Sequence, residues 1–156
     1  MKKEHHYQAT TRWTGNKGEG TLDYKAYERS HILSVLGKAD IAGSSDPAFR
    51  GDKTKHNPED LLVSAISSCH MLWYLHFCAV NGVVVTDYVD KATGTMIEHA
   101  DGSGEFTNVT LHPEVKVKDQ SMITKANELH EKAHHACFIA RSVNFEVLLV
   151  PLILIE

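Results

Sequence analysis

The sequence predicts an α+β domain with a mostly antiparallel sheet and two helices, in the order βββ-α-ββ-α-β. Three observations lead to this prediction. Segments with alternating apolar residues flank a long helix that is apolar on nearly every side. A second helical segment, apolar on one face, precedes the last strand. Turns rich in glycine and asparagine separate most of these segments, and no internal repeat is present, so we expect residues 1–156 to form a single domain.

The composition excludes several classes of function. A chain of 156 residues with 42% hydrophobic and 23% charged residues is typical of one soluble globular domain with a core of its own. The net charge of −4, without long blocks of like charge, offers no surface for nucleic acid or an anionic membrane. Three cysteines, an odd number, do not form the disulfide framework of a small secreted protein.

The location of the protein is also predicted from these features. Residues 1–13 contain no apolar segment of the kind found in signal peptides. The apolar run over residues 61–80 is interrupted by serine, histidine and tyrosine, so we do not expect it to span a membrane. We therefore expect a cytoplasmic protein with no nucleic-acid or membrane partner.

The N-terminal part is predicted to be a short sheet followed by a loop. Residues 5–13 and 20–25 alternate well enough to be strands, with a turn at residues 14–18 between them. Residues 31–37 form a third predicted strand. Residues 38–55 contain several glycines, serines and a proline, and are expected to form an irregular loop. Loops of this length are often functional.

A long helix is predicted over residues 57–80. Asn57 is a favoured N-cap, and Pro58 and Glu59 suit the first helical turn. The sequence Asn81-Gly82 is a common signal for the end of a helix. Because apolar residues occupy nearly all faces of this helix, either the sheet wraps around it or a second subunit covers it. We therefore expect a homodimer.

The C-terminal half is predicted to contain a hairpin, a helix and a strand. Residues 83–100 and 104–118 alternate partially around a glycine-rich turn, which indicates a long antiparallel hairpin. Residues 121–135 form the second predicted helix, with Ile123, Ala126, Leu129 and Ala133 facing inward. Residues 143–156 are expected to be a strand that reaches an edge or leaves the sheet at Pro151.

The cysteines raise the main question about function. Cys69 lies in the middle of the apolar helix, where an unpaired cysteine is most often a packing residue. Cys78 lies about 13 Å further along the helix axis, too far for a disulfide with Cys69, and is assigned to the core. Cys137 follows the second helix and could meet Cys69. A reactive thiol needs a nearby cation, which Arg50 or Arg29 could supply.

Histidines offer a metal-binding alternative. His130, His134, His135 and Cys137 include a pair spaced by four residues and a nearby thiol, as some zinc sites do. No second cluster completes such a site, and an exposed face rich in histidine explains the same pattern. Phosphate-binding and dinucleotide-binding glycine motifs are absent from the sequence, and we expect no cofactor.

Two segments of the sequence resemble a known family. The segment NPEDLLVSAISSCH has a cysteine ten residues after its glutamate, and a second cysteine lies in HEKAHHACFIARSVNFEV. This pattern resembles the OsmC/Ohr family of osmotically inducible and organic hydroperoxide resistance proteins. The motifs SSDPAFRGD and CHMLWYLH are similar to those of the OsmC-like branch. The resemblance covers nearly the whole chain.

The resemblance implies a fold and an activity. The fold would place antiparallel sheets around two long central helices in an intertwined homodimer. The activity would be that of a peroxiredoxin-like, thiol-dependent peroxidase that reduces organic hydroperoxides in oxidative and osmotic stress defence. Cys69 would be the peroxidatic thiol, and Cys137 would resolve its sulfenic acid as a disulfide. A small dithiol, such as a protein-bound lipoyl group, would then reduce the disulfide.

The resemblance also assigns an arginine and a glutamate to the site. Glu59 matches the family's glutamate, which holds an arginine against the reactive sulfur. In the OsmC branch the arginine comes from the loop before this helix, where Arg50 lies, and Arg29 is the second choice. Candidates for an apolar substrate pocket are Trp73, Phe77, Phe49, Phe138 and Met71, although large apolar side chains such as these are more often core residues.

The chain departs from the family in one motif and leaves one alternative function open. Phe138 follows Cys137 where many members have proline. The alternative is a dimeric member of the same fold that binds a ligand or zinc and does not catalyse a reaction.

Overall fold

Residues 2–156 of the computed structural model contain nine strands and two helices, arranged in two units. The first unit extends to Leu61 and the second runs from Leu62 to Glu156. In chain order the elements are β1 (Thr10–Trp13), β2 (His31–Ser34), β3 (Ile41–Gly43), α1 (Pro58–Val80), β4 (Val85–Asp90), β5 (Thr93–Glu98), β6 (Gly104–Leu111), β7 (Pro113–Val117), α2 (Ile123–Ala136), β8 (Glu146–Leu149) and β9 (Leu152–Ile155).

The first unit contains an antiparallel sheet in the order β1-β2-β3. The prediction of a strand at residues 20–25 is wrong, because this segment forms turns. The Asn16 side chain accepts hydrogen bonds from the backbone N–H groups of Gly18 and Gly20, at 2.8 and 3.0 Å. Such local bonds compete with strand pairing. The predicted irregular loop instead contributes β3, which pairs with β2.

Helix α1 begins and ends where its capping residues predict. The Asn57 side chain accepts a hydrogen bond from the Asp60 backbone N–H at 2.7 Å, and the Asp60 carboxylate accepts one from the Asn57 backbone N–H at 3.4 Å. This reciprocal arrangement satisfies two N–H groups at the start of the helix. After the last helical residue, Gly82 adopts a left-handed conformation with φ of 74°. Both predicted ends are confirmed.

Only one stripe of α1 is fully buried within this chain. It consists of residues spaced by four, namely Ile66, His70, Tyr74 and Cys78. Leu72 and Val80 lie outside the stripe and are each 63% exposed. Among the described residues, α1 is also the one helix whose length and apolar composition would suffice to cross a membrane. The core helix of a soluble domain meets the same criterion, so this finding alone does not separate the two cases.

Each of the three long strands predicted for the second half of the chain is divided in two. The segment 83–100 contains β4 and β5, 104–118 contains β6 and β7, and 143–156 contains β8 and β9. The halves form two sheets, in the orders β4-β7-β9 and β5-β6-β8. The hairpin pairs are antiparallel as predicted, but β8 and β9 pair in parallel with β6 and β7.

The breaks between β4 and β5, between β6 and β7, and between β8 and β9 lie side by side. We call this line between the two sheets the crease. Asp90 ends β4, and its carboxylate accepts a hydrogen bond from the His112 backbone N–H at 2.7 Å. The other carboxylate oxygen accepts one from the Ser67 hydroxyl of α1 at 2.5 Å. The carboxylate therefore satisfies a backbone donor at the break and also connects the crease to α1.

Two apolar clusters lie on either side of the crease. One contains Tyr74, Cys78, Val115, Val117, Ala126, Leu129 and Ala133, and is covered by α2. The other contains Ile66, Val109 and Leu111, against the sheet β5-β6-β8. The inward-facing positions predicted for α2 are confirmed for Ala126, Leu129 and Ala133, whereas Ile123 is half-buried.

The capping contact of α1 leads to a stability prediction. Replacing Asn57 with alanine removes the acceptor for the Asp60 N–H, so we expect the free energy of unfolding to fall by about 1 kcal/mol. Asn57→Ser keeps a capping oxygen and should lose less than half of that amount. Urea unfolding followed by circular dichroism measures both variants. Equal losses in the two variants would show that the cap does not contribute in this way.

Candidate active site

The structure brings together the two cysteines that the resemblance assigned to catalysis. Cys69 is half-buried near the middle of α1, and Cys137 is fully buried directly after α2. The two thiols are close enough for Cys69 to act on Cys137 through a side-chain hydrogen bond and through its charge. Cys78 is 1% exposed and packs in the core, as predicted. All three cysteines are free thiols.

The surroundings of Cys137 keep its thiol protonated. Burial raises the pKa of Cys137 to about 11, and the hydrogen bond and charge of Cys69 act in the same direction. The backbone N–H of Ala140, 3.5 Å from the sulfur, lowers the pKa, and its effect is smaller than that of burial but larger than that of Cys69. A hydrogen bond that raises a pKa stabilises the protonated form. The Cys137 thiol therefore stays protonated beside Cys69 at neutral pH.

Arg50 lies in a tightly held loop of the first unit. It follows the short 3₁₀ turn Pro47–Phe49 and has a left-handed backbone, with φ of 64°. The Asp46 side chain holds the turn by accepting a hydrogen bond from the Ala48 N–H at 2.7 Å. Left-handed backbone costs a residue other than glycine about 1–2 kcal/mol. The loop therefore keeps an exposed arginine at a position where glycine would be less strained.

Glu59 has no arginine partner within the described part of the chain. One of its carboxylate oxygens, Oε2, is buried and accepts no hydrogen bond among residues 2–156. Neither Arg50 nor Arg29 forms an ion pair with it there. A buried oxygen without a partner is energetically costly. The structure does not test whether Glu59 pairs with an arginine or whether that arginine approaches Cys69. Both stay predictions.

Arg29, the second choice for the activating cation, is engaged within the first unit. Its guanidinium lies 4.3 Å from the ring centre of Tyr24 and 4.1 Å from that of Tyr27. It also donates hydrogen bonds to the backbone carbonyls of Tyr27 and Tyr24, at 2.7 and 2.8 Å. These contacts give Arg29 a role in holding this segment together.

Aromatic residues form a surface beside the two cysteines. Trp73, one turn after Cys69 on α1, stacks on Phe77 with ring centres 5.5 Å apart. Phe138, which follows Cys137, meets Trp73 edge-on at 5.4 Å and is 65% exposed. Of the five residues predicted as candidates for an apolar pocket, these three come together. Met71 lines another cavity with Asp90, and Phe49 lies in the first unit.

The comparison with known proteins identifies the family. The family model of OsmC-like proteins matches residues 51–149, which include both cysteines. The chain belongs to the OsmC-like family.

Several solved structures are similar to this OsmC-like protein. An OsmC-like protein of unknown function from Vibrio cholerae is 30% identical, with a TM-score of 0.86 over 96% of this chain and 100% of that one. An organic hydroperoxide resistance protein from Elizabethkingia anophelis is 19% identical, with a TM-score of 0.73 over 97% of this chain and 99% of that one. The organic hydroperoxide resistance protein OhrB of Bacillus subtilis is 18% identical, with a TM-score of 0.62 over 96% of this chain and 98% of that one. No curated protein matches the sequence.

A pair of buried histidines in the OsmC-like protein was not predicted. Nε2 of His70 lies 3.0 Å from Nδ1 of His130, and the two rings are coplanar within 1°. Tyr74 stacks on His130 with ring centres 3.8 Å apart. The only signal in the sequence is that each histidine occupies a position on the apolar face of its helix. Sixty residues separate the two, so their contact depends on how the helices pack.

The predicted alternative of a zinc site finds no support in residues 2–156. Within them, no group of three or more histidine, cysteine, aspartate or glutamate side chains is arranged to hold a metal ion. His130 bonds to His70 instead, and His135 is exposed.

The histidine pair predicts a loss of stability in acid. Burial, together with a smaller effect of the charge of His134, lowers the pKa of His70 from 6.5 to about 4. Burial also lowers the pKa of His130 to about 3, with a smaller effect from His70. Between about pH 6.5 and 4, the unfolded chain therefore binds protons that the folded chain does not. The stability that the two neutral imidazoles contribute is fully present above pH 6.5 and is lost as the pH falls towards 4.

We expect the free energy of unfolding to be about 2 kcal/mol lower at pH 5 than at pH 7.5 for each buried imidazole. Urea unfolding at the two pH values measures this difference. In the variant His130→Leu one of the two groups is absent, so the decrease should be about half as large. If the wild-type protein is equally stable at both pH values, the pair is not buried in its neutral form.

Proposed function

We propose that this OsmC-like protein is a thiol-dependent peroxidase that reduces organic hydroperoxides. The observation that carries the proposal is the interaction of the Cys69 thiol on α1 with the buried Cys137 thiol after α2. Two structurally similar proteins are named as organic hydroperoxide resistance proteins, which supports this substrate class.

In the first step, the sulfur of Cys69 attacks one oxygen of the hydroperoxide. The O–O bond breaks, Cys69 becomes a sulfenic acid, and the other oxygen leaves with a proton as the alcohol. The protonated Cys137 thiol lies close to Cys69, and a hydrogen bond from it would stabilise negative charge on the attacking sulfur. Because Cys69 is only half-buried, a substrate can reach it more easily than it can reach Cys137.

In the second step, Cys137 attacks the sulfur of the sulfenic acid. An S–S bond forms, the S–O bond breaks, and the hydroxyl leaves as water with the proton of Cys137. Oxidation removes the negative charge from Cys69, and with it one of the causes that raise the pKa of Cys137. The Ala140 N–H then favours the Cys137 thiolate that attacks. Oxidation of Cys69 thus removes one restraint on Cys137, whereas burial, the largest cause of its raised pKa, remains.

A dithiol must restore the enzyme. Exchange with the Cys69–Cys137 disulfide returns both cysteines to thiols and leaves the dithiol oxidised, so electrons balance in the cycle. We propose a small dithiol, such as a protein-bound lipoyl group, as the reductant. The setting that we propose is the cytoplasm, in defence against oxidative and osmotic stress.

Arg50 and Glu59 complete the proposed site. A guanidinium beside Cys69 would stabilise both the thiolate and the developing charge on the leaving oxygen. Among residues 2–156 the buried Oε2 of Glu59 accepts no hydrogen bond, and Arg50 has a left-handed backbone. Both observations support a role beyond stability. Glu59 would orient the guanidinium through a charge-assisted hydrogen bond.

We propose a homodimer as the working form. The support is the face of α1 that its own chain leaves uncovered, with Leu72 and Val80 each 63% exposed. A long helix with apolar residues on most faces is stable in water only when a second layer covers it. A second copy of this chain would provide that layer.

The cysteines lead to the central prediction. Cys69→Ser should reduce the consumption of cumene hydroperoxide, with a dithiol as reductant, to the rate without protein, because the nucleophile is lost. Cys137→Ser should still consume one equivalent of peroxide and leave a sulfenic acid on Cys69 that dimedone labels. In the wild-type protein, peptide mapping after mild peroxide treatment should find a Cys69–Cys137 disulfide.

Cys78→Ala is the matched control for these variants. It removes a cysteine from the same helix, so peroxide consumption should be unchanged. A wild-type Cys69 that stays reduced under equimolar cumene hydroperoxide would exclude a peroxidase. In that case a family member that binds a ligand without catalysis remains as the alternative.

The conformation of Arg50 allows its guanidinium to be removed without strain. Arg50→Gly should be as stable as the wild-type protein, to within about 1 kcal/mol, because glycine adopts a φ of 64° readily. If the guanidinium activates Cys69, the same variant should oxidise Cys69 at least about tenfold more slowly. Stopped-flow measurement of peroxide consumption, together with urea unfolding, tests both parts.

Lys53→Gly provides the control, because it removes an exposed positive charge from the same loop without removing a guanidinium. Its oxidation rate should equal that of the wild-type protein. An unchanged rate in Arg50→Gly would refute the role of Arg50 and leave Arg29 as the remaining candidate.

A further inference from the structure

We infer that the hydrogen bond between His70 and His130 positions Cys69 and Cys137 for disulfide formation. The inference rests on the proposed function and adds two positioning residues to it. His70 directly follows Cys69 on α1, and His130 lies on α2 about two turns before Cys137. His70 therefore shares a helix with Cys69, and His130 lies on the helix that leads into Cys137.

This contact is a hydrogen bond that links helix α1 directly to helix α2. Within residues 2–156, the bond from His70 Nε2 to His130 Nδ1 is the only hydrogen bond between α1 and α2. Most other contacts between these helices are made by apolar side chains such as Tyr74 and Leu129, and Lys132 lies over the Phe77 ring at 5.1 Å. Apolar packing tolerates small shifts, whereas a buried hydrogen bond requires a defined distance and angle.

The pair is a poor choice for stability alone. Both rings are almost completely buried, and their outer nitrogens, Nδ1 of His70 and Nε2 of His130, have no hydrogen-bond partner among residues 2–156. A neutral imidazole has one donor and one acceptor, so each ring leaves half of its hydrogen-bonding capacity unsatisfied. Two apolar side chains of similar volume would avoid this cost. The pair therefore suits a role in fixing geometry better than a role in stabilising the fold.

Disulfide formation is the step that depends most on this geometry. The two sulfurs must approach to about 2.05 Å with a defined torsion, and the Cα atoms must lie within about 7 Å of each other. The attack of a peroxide on Cys69 makes no such demand, because the substrate is free to move. A misplacement of about 1 Å between reacting groups can slow a reaction by about a hundredfold. Loss of the histidine contact should therefore affect the second step and spare the first.

His130→Leu tests the inference, because it removes the hydrogen bond and keeps an apolar side chain at the position. With the reduced variant and one equivalent of cumene hydroperoxide, disulfide formation should be at least about tenfold slower than in the wild-type protein. Rapid quenching with an alkylating reagent, followed by mass spectrometry, measures this rate. Oxidation of Cys69 itself, measured in a Cys137→Ser background, should change by less than about twofold.

Two further variants separate positioning from a general loosening of the core. His130→Gln offers an amide that can bond to His70, and should restore disulfide formation to within about threefold of the wild-type rate. Leu129→Ala removes buried side-chain volume from the neighbouring position on α2 and leaves the histidine pair intact. It should leave the rate of disulfide formation within about twofold of the wild-type value.

A second readout does not require peroxidase activity. In glutathione buffers, the equilibrium constant for forming the Cys69–Cys137 disulfide should be about tenfold smaller in His130→Leu, a shift of about 30 mV in the reduction potential. If the wild-type protein does not react with hydroperoxides but this shift is found, the proposed function fails and the positioning role stands. The inference is overturned if His130→Leu forms the disulfide at the wild-type rate, or if Leu129→Ala slows its formation as much.

Discussion

The buried stripe of α1 is the constraint on which the second unit depends. Ile66 packs in the cluster on the sheet β5-β6-β8, whereas Tyr74 and Cys78 pack in the cluster on the sheet β4-β7-β9. One helix thus serves two cores, with the crease between the sheets at its middle. Ser67 is held there by Asp90, and His70 is the buried residue between the two clusters. Cys69 lies between these two polar residues in the chain.

This arrangement explains why polar side chains occur in the middle of an apolar helix. Where the two sheets meet, their backbone ladders are interrupted, and the Asp90 carboxylate bonds to a free N–H of the chain. Polar residues of α1 find partners at this level, in Asp90 and in His130. A thiol at the same level is half-buried, close to a second thiol and beside aromatic side chains. These are conditions under which a cysteine can react selectively.

The first unit contains a loop with a strained backbone. The loop that ends at Gly51 is so tight that a Cβ at this glycine would collide with the Ser45 carbonyl. Arg50, one residue earlier, keeps a left-handed backbone that favours glycine. This strained arginine, and a carboxylate oxygen of Glu59 that is buried and accepts no hydrogen bond from the described residues, both precede Cys69 in the chain. Strain and unsatisfied polar groups concentrate at functional sites, where geometry matters more than stability.

The sequence by itself determined the features that depend on neighbours in the chain. The cap at Asn57, the end of α1 at Gly82, the hairpin turn and the inward face of α2 all depend on residues within a few positions of one another. The motif around Cys69 likewise predicted the family. Local competition also explains why the strand predicted at residues 20–25 does not form, because side chains there bond to nearby backbone groups.

Only the tertiary structure decided the division of the long strands at the crease, the parallel pairing of β8 and β9, the meeting of Cys69 with Cys137, and the histidine pair. Each of these joins residues far apart in the chain, and their free energy depends on how whole elements pack, which no local pattern of residues encodes.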